Sequence, residues 1–288
     1  MSSKVLFLLS HTGGGHKAVA DAIKDGMQLR FADSEIEFEY VDVFEDYCAP
    51  PFNKASSMYA NMVNKAPMLW GLSYQALNGR LRSRIAANLL YMISSHKFKR
   101  LPSKHSADVI ISVHSILTRP SRKAFSQYNT DGSVFLTVVT DLGRPPLFWY
   151  EKDVEHCFVP NVRAYEDALL CGIPEDKISV VGLPVHPKFT LDDGYTANFR
   201  AELGVDDDKP IVTIISGGEG MGNLRKVASE VSAANLPCHV FIICGKNKAL
   251  YDKLRQEIDN PMVRVFGFVD MAKFMKISSI LVTKAGPS

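Results

Sequence analysis

The chain has 288 residues, 46% of them hydrophobic and 22% charged, with a formal net charge of +2. That balance is the one of a globular protein with a sizeable core, and at about 100–200 residues per domain it points to two domains. No run of about 18 apolar residues occurs, which leaves no candidate membrane-spanning helix; five dispersed cysteines without C-x-x-C or zinc spacing argue for a reducing compartment and against a disulfide scaffold.

The chain opens with the apolar run Val5–Leu9. It is too short for a span and no small-residue cleavage site follows, so it reads as a buried first strand and not as a signal peptide. From there short β-branched runs alternate with amphipathic stretches. Strands are expected at 5–10, 36–43, 108–113, 134–139, 157–159 and 178–181, with helices over 16–29, 81–94 and 162–170. The pattern resumes with strands at 211–216, 239–244, 263–266 and 280–283 and helices over 223–233, 248–258 and 271–276. Such alternation predicts parallel sheets built from βαβ crossovers, an α/β fold of two Rossmann-like lobes. The break falls where Pro184, Pro187, Asp192, Asp193, Gly194 and Asp206–Asp208 cluster around a short helix over 197–203. The expected division is an N-terminal lobe of residues 1–186, a linker over 187–208 and a C-terminal lobe of 209–288. The last lobe shows four strands where a doubly wound lobe has five or six, so it is expected to be incomplete at Ser288.

Charge is unevenly placed. Between Asp46 and Asp108 there is no acidic residue, while Lys54, Lys65, Arg80, Arg82, Arg84, Lys97, Lys99, Arg100 and Lys104 supply nine positive charges. The rest of the chain therefore sums to −7, from +2 less nine. Phe52, Met58, Tyr59, Met62, Met68, Leu69, Trp70 and Tyr74 are interleaved with the cations. Basic groups attract anionic lipid and aromatic groups settle at the interface, so this stretch is expected to meet an anionic membrane surface. A solvated face over core Met and Leu is the alternative. Nucleic acid is not expected as a partner, because the stretch is too apolar and no RNA-module motif occurs.

Two glycine turns carry the chemistry. Ser10-His11-Thr12-Gly13-Gly14-Gly15-His16 joins strand to helix, where close backbone approach and unpaired helix N–H groups suit a phosphate or another anion. No Gly-Lys-Ser/Thr follows, so it is not a P-loop. A loose G-x-G-x-x-A match through Gly13, Gly15 and Ala18 keeps an NAD(P)-binding Rossmann enzyme open, although Asp42 falls later than the ~20-residue offset of a ribose-binding acid. The second turn, Ser216-Gly217-Gly218-Glu219-Gly220-Met221-Gly222, sits at the equivalent place of the second lobe. The two are expected to face one ligand across a cleft. His16 closes the first turn and titrates near neutrality, which suits a general base; Asp141 is either a base, a group orienting His16, or a helix cap. Asp206–Asp208 spells D-x-D but reads as a solvated loop, so no metal site is expected.

Five segments in order, Thr12-Gly-Gly-Gly-His16, Val139-Thr-Asp-Leu142, Val181-Gly-Leu-Pro-Val185, Gly217-Gly-Glu-Gly-Met-Gly222 and Thr283-Lys-Ala-Gly-Pro287, resemble the plant-type monogalactosyldiacylglycerol synthases, as do Ile110-Ile-Ser-Val-His114 and Leu69-Trp70. More distant likeness runs to bacterial diacylglycerol glucosyltransferases and the peptidoglycan-precursor glycosyltransferase. The resemblance implies the two-lobed GT-B fold, UDP-galactose as donor, diacylglycerol as acceptor, inversion at the anomeric carbon, and no metal or other cofactor. It implies His16 and Asp141 as catalytic residues. Donor contacts would come from Gly14, Gly15, His16, His186, Gly217, Gly218, Gly220 and the run Gly267, Phe268, Val269, Asp270. Acceptor and membrane contacts would come from Phe52, Met62, Leu69, Trp70, Arg80, Arg82, Arg84 and Trp149. His186 stands where the family is expected to carry an Arg on the diphosphate, and neutral His offers less charge and no bidentate fork. A peripheral membrane location, at the plastid envelope, is implied too. A diacylglycerol glucosyltransferase and a non-catalytic fragment that at most binds membrane remain open, and nothing in the sequence speaks to oligomeric state.

Overall fold

A computed structural model describes residues 3–11, 15–55, 58, 67–128, 132–190, 196–205, 207–215 and 224–283. The chain divides into two compact units, Met1–Pro187 and Lys188–Gly286.

The first unit is built on a six-stranded parallel sheet. Its strands are β1 (Ser3–Leu9), β2 (Ile36–Asp42), β3 (Val109–Ser112), β4 (Val134–Val138), β5 (His156–Val159) and β6 (Ile178–Val180), in the order β2-β1-β3-β4-β5-β6. The helices are α1 (Gly15–Arg30), α2 (Val43–Tyr47), α3 (Pro67–Leu77), α4 (Arg80–Phe98), α5 (Arg100–Lys104), α6 (Ser115–Tyr128) and α7 (Val162–Leu170). Both faces of the sheet are covered, which is why β1 reads as an unbroken apolar run. Side chains alternate across a strand. Leu6 and Leu8 therefore join a core with Leu90, Phe98, Leu101 and Trp149, while Val5, Phe7 and Leu9 join another with Val19, Ala20 and Ile111. Each such Leu or Phe side chain contributes about 1.5–3 kcal/mol by burial. In the turn Val181-Gly182-Leu183-Pro184, Gly182 has φ of +79°, a region that a side chain disfavours.

Helix α6 was not foreseen, because Pro120 lies inside it and helix interiors reject proline. Its buried positions nevertheless include Leu117, Pro120, Ser121, Ala124 and Phe125, a complete 3.6-residue stripe. The Thr118 hydroxyl donates to the carbonyl of His114 at 3.0 Å. Packing of that stripe outweighs the proline. Helix α4 runs on to Phe98, past the expected end near 94, since Ser94 and Phe98 are buried. Tyr91 of α4 donates to Gln127 of α6 at 2.6 Å. Along the opposite side of α4, Leu81, Ile85, Leu89 and Met92 are all more than half exposed.

The second unit has a four-stranded parallel sheet, β10-β7-β8-β9, from β7 (Ile211–Ile215), β8 (His239–Ile243), β9 (Val263–Phe266) and β10 (Ile280–Thr283). Helices α8 (Thr196–Glu202), α9 (Leu224–Ala233), α10 (Lys248–Glu257) and α11 (Met271–Ile277) accompany it. Val240 and Ile242 pack with Leu224 and Leu254; Phe241 and Ile243 pack with Phe274 and Ile277. Part of the stretch expected as a linker belongs to this core: Val205 is buried, and the Phe199 ring meets Phe274 at 5.2 Å. Asp207 of the acidic run is engaged by His239 Nε2 at 2.8 Å and Lys209 Nζ at 3.0 Å. Those two partners hold its carboxyl down to about 2.

Candidate functional site

In an open α/β sheet a ligand sits beyond the carboxyl ends of the strands, where the strand order reverses. In the first unit the chain passes from β1 to β2 on one side and then crosses to β3 on the other side of β1, so the reversal lies between β1 and β3. His16 lies on the helix that follows β1, and His114 lies two residues past the end of β3. Their rings approach with centroids 4.6 Å apart. His16 Nδ1 pairs with Thr140 Oγ1 at 3.0 Å, beyond the end of β4. Next to Thr140 stands Asp141, whose Oδ2 accepts the indole N–H of Trp149 at 2.6 Å. The Trp149 ring lies 6.3 Å from His16, and the edge of Phe44 meets His114 at 5.3 Å.

Burial holds His16 below its ordinary value of 6.5, partly opposed by the charge of Asp141 and by a backbone hydrogen bond at Val113. His114 is pushed well below 6.5 by burial and then by His16. Both rings are therefore neutral at neutral pH. In the tautomer with the proton on Nδ1, His16 donates to Thr140 and its Nε2 lone pair accepts a proton. Asp42 ends β2 and uses both oxygens locally: Oδ1 caps α2 through Glu45 N–H at 3.1 Å, and Oδ2 accepts the His11 N–H at 2.8 Å. A carboxylate committed to two backbone amides is poorly placed to bind a ribose, which tells against the dinucleotide reading.

The other expected residues are distributed as follows. Gly15 opens α1, whereas Gly14, Gly217, Gly218, Gly220 and Met62 lie outside the described residues, as do the side chains of Leu69 and Trp70. Trp149 was expected at the acceptor and membrane face; it is fully buried, because its indole N–H finds Asp141 and its ring joins the core. Arg84 was expected to face lipid, but its guanidinium donates to the Cys171 carbonyl at 2.6 Å at the end of α7. Arg80 and Arg82 are exposed and Phe52 is 39% exposed. His186 Nε2 pairs with Asp25 of α1 at 2.7 Å. In the second unit Asp270 caps α11 through Ala272 N–H at 3.1 Å and pairs with Lys188 at 3.5 Å. Val269 packs on the core, while Phe268 is 71% exposed with Lys246 Nζ 5.9 Å from its ring centre. A Cβ at Gly267 would sit 4.0 Å from the Gly245 carbonyl oxygen. The reversal in this sheet lies between β7 and β10; the turns after them, 216–223 and 284–288, are outside the described residues.

Sequence reasoning passed over Thr140 and the partnership of Trp149 with Asp141, and it gave His114 no role. Both follow strand ends, Thr140 after β4 and His114 after β3, but only the strand order brings them to His16. No group of three or more His, Cys, Asp or Glu that could hold a metal occurs among the described residues, and no described helix is long and apolar enough to cross a membrane.

Comparison with known proteins places these features in a family. The profile of Monogalactosyldiacylglycerol (MGDG) synthase matches residues 16–185. The chain is 35% identical over 295 aligned residues to the probable chloroplastic monogalactosyldiacylglycerol synthase of Glycine max and, equally, to monogalactosyldiacylglycerol synthase 1 of Arabidopsis thaliana. Each alignment covers 99% of this chain and 55% of the relative, so the chain spans about half the length of the curated relatives it matches. Among solved structures, Acinetobacter baumannii MurG aligns with a TM-score of 0.54 at 12% identity, over 99% of this chain and 72% of that one. The S. aureus MnaA–UDP co-structure also gives 0.54, at 14% identity, over 99% and 74%. At such identities the likeness is one of fold, that of the GT-B class. With its profile matched over more than half its length and its relatives above 30% identity, the chain belongs to the monogalactosyldiacylglycerol synthase family.

Proposed function

We propose that the protein to which this chain belongs transfers galactose from UDP-galactose to the free hydroxyl of diacylglycerol, with inversion. The observation that carries this reading is a neutral, partly buried His16 at the sheet reversal, with Asp141 beside it. His16 takes the proton of the acceptor hydroxyl as that oxygen bonds to the anomeric carbon. The bond from that carbon to the diphosphate oxygen breaks, and UDP leaves with the electron pair. Asp141 stabilises the imidazolium that forms. No residue is required to form a covalent intermediate. In this reading Gly14, Gly15, Gly217, Gly218 and Gly220 offer backbone N–H groups to the diphosphate, and the turn from Gly267 to Asp270 holds the uracil ring. His186, paired with Asp25, offers the diphosphate no bidentate fork.

The lipid acceptor requires the protein to meet a bilayer. The exposed stripe Leu81, Ile85, Leu89 and Met92 on α4, with Arg80 and Arg82 at its start, supports docking on an anionic surface. Relatives described as chloroplastic support a plastid membrane as the location. The test supplies full-length protein with diacylglycerol vesicles and either UDP-galactose or UDP-glucose. Galactolipid formed by the wild type and lost in His16→Gln supports the reading. Glucolipid alone would move the donor to UDP-glucose, and no glycolipid with either donor would overturn it.

A further inference from the structure

Glu151 lies two residues past Trp149 and is 4% exposed. A carboxylate at that depth needs partners, and it has the Arg119 guanidinium of α6 on one oxygen and the Asp153 N–H at 3.4 Å on the other. Arg119 also reaches α4, where its Nε donates to Asn88 Oδ1 at 3.0 Å. Asn78, two residues before α4, accepts the Leu147 N–H at 2.8 Å. The single helical turn Leu147–Trp149 and the chain just beyond it are therefore tied to α4 at both ends, once directly and once through Arg119. Between the two ties sits Trp149, whose indole holds Asp141. One turn further along α6, Arg122 Nε donates to the Asp153 carbonyl at 2.6 Å, so the same helix also grips the chain leaving the turn.

We propose that Arg119 and Glu151 are positioning residues, which hold the Trp149 indole where its N–H meets Asp141. An ion pair at this depth adds little net stability over a packed apolar pair, because desolvation offsets the attraction. What it adds is direction. The guanidinium is planar, with N–H groups at fixed angles. One of them points to α4 and another to Glu151, which sets the turn against both helices. The buried charge thus fixes an orientation that the apolar core around Trp149 does not by itself specify.

Removing one partner alone would strand a buried charge and loosen the protein whatever its role. The pair is therefore replaced together, as R119M/E151L, beside R119K, which keeps a cation but not two fixed N–H directions, and beside W149F. Each full-length protein is labelled with 15N-tryptophan, and the Trp149 indole resonance is assigned by its loss in W149F. A charge-assisted hydrogen bond moves that proton downfield and slows its exchange with solvent. In R119M/E151L the Tm should stay near that of wild type, while the indole proton moves upfield and exchanges about tenfold faster or more, the size expected for a hydrogen bond to a charged group. R119K should show the same changes to a smaller extent. Only the kinetic arm rests on galactosyl transfer as the reaction. There kcat should fall about tenfold with KM for UDP-galactose unchanged, and R119M/E151L should add nothing in a W149F background. An unchanged indole resonance and exchange rate in folded R119M/E151L overturns the positioning role, and so does a further loss of kcat on top of W149F. If R119M/E151L does not fold, the indole of R119K decides, and no change there overturns it. A wild type without transfer activity counts against the reaction and leaves the indole measurement to decide on Arg119 and Glu151.

Discussion

Trp149 gives its indole N–H to Asp141 across 2.6 Å, from a ring that is itself fully buried and 6.3 Å from His16. The hydrogen bond sets where the Asp141 carboxylate points, and that charge is what raises the basicity of His16 against its burial. Trp149→Phe keeps the ring and removes the N–H. A hydrogen bond to a charged group is worth about 1.5–3 kcal/mol, so the transfer rate is expected to fall by about tenfold or more. The midpoint of the pH–rate profile should move as well, which a purely structural role would not produce. An unchanged midpoint in Trp149→Phe would show that Asp141 does not need the indole.

The rate should follow the neutral form of His16. Its folded value lies below 6.5, so the wild-type kcat/KM is expected to fall as the pH drops through that lowered midpoint and to be flat above pH 6.5. In Asp141→Asn the attraction that opposes burial is gone, and the midpoint should shift lower still. His16→Gln should lose about 10²–10⁴ in rate, the usual contribution of a general base. A pH–rate series on the three proteins checks all of this at once.

Acid should destabilise the fold through His114. Buried and neutral, it titrates well below 6.5, whereas the unfolded chain takes up a proton near 6.5. Where the unfolded state binds more protons, stability rises with pH. The contribution is therefore complete above pH 6.5 and declines below it. Urea unfolding below pH 6.5 should show this slope in wild type and a shallower one in His114→Gln.

Asp42 separates two roles by substitution. Asp42→Asn keeps one carbonyl oxygen for capping α2 but cannot accept both backbone amides with oxygen. Asp42→Ala removes both bonds and should cost about 0.5–2 kcal/mol from the cap alone. If holding His11 matters to the reaction, Asp42→Asn will lower the transfer rate with little change in Tm, and equal rates in Asn variant and wild type would exclude that role.

The stripe on α4 is testable without touching the core. Ile85 and Met92 are 56% and 68% exposed, so Ile85→Glu with Met92→Glu should change stability by no more than about 0.5 kcal/mol each. Burying such side chains in lipid is worth about 1.5–3 kcal/mol apiece. Vesicle flotation of the double variant should therefore drop by about tenfold or more.

The strands were legible in the sequence for a simple reason. Runs such as Val109-Ile-Ile and Ile211–Ile215 are β-branched and buried on both faces, and nothing competes with that reading. Helix α6 was hidden because Pro120 breaks the local rule, and only the packing of Leu117, Ala124 and Phe125 restores the helix. His16 stood out in the sequence because it ends a run of three glycines. The burial of Trp149 was not legible, since nothing in the local sequence shows that its indole N–H has a buried acceptor in Asp141. His114 and Thr140 depended on topology: their nearness to His16 arises from β3 lying beside β1 and β4 beside β3, which no local pattern encodes.

One carboxylate joins two otherwise separate pieces. Asp42 grips His11 on one side and the start of α2 on the other, α2 carries Phe44, Phe44 abuts His114, and His114 lies on His16. His11 and His16 are thus linked through one chain of contacts. Freeing His11 from Asp42 is therefore expected to disturb the His16 imidazole as well.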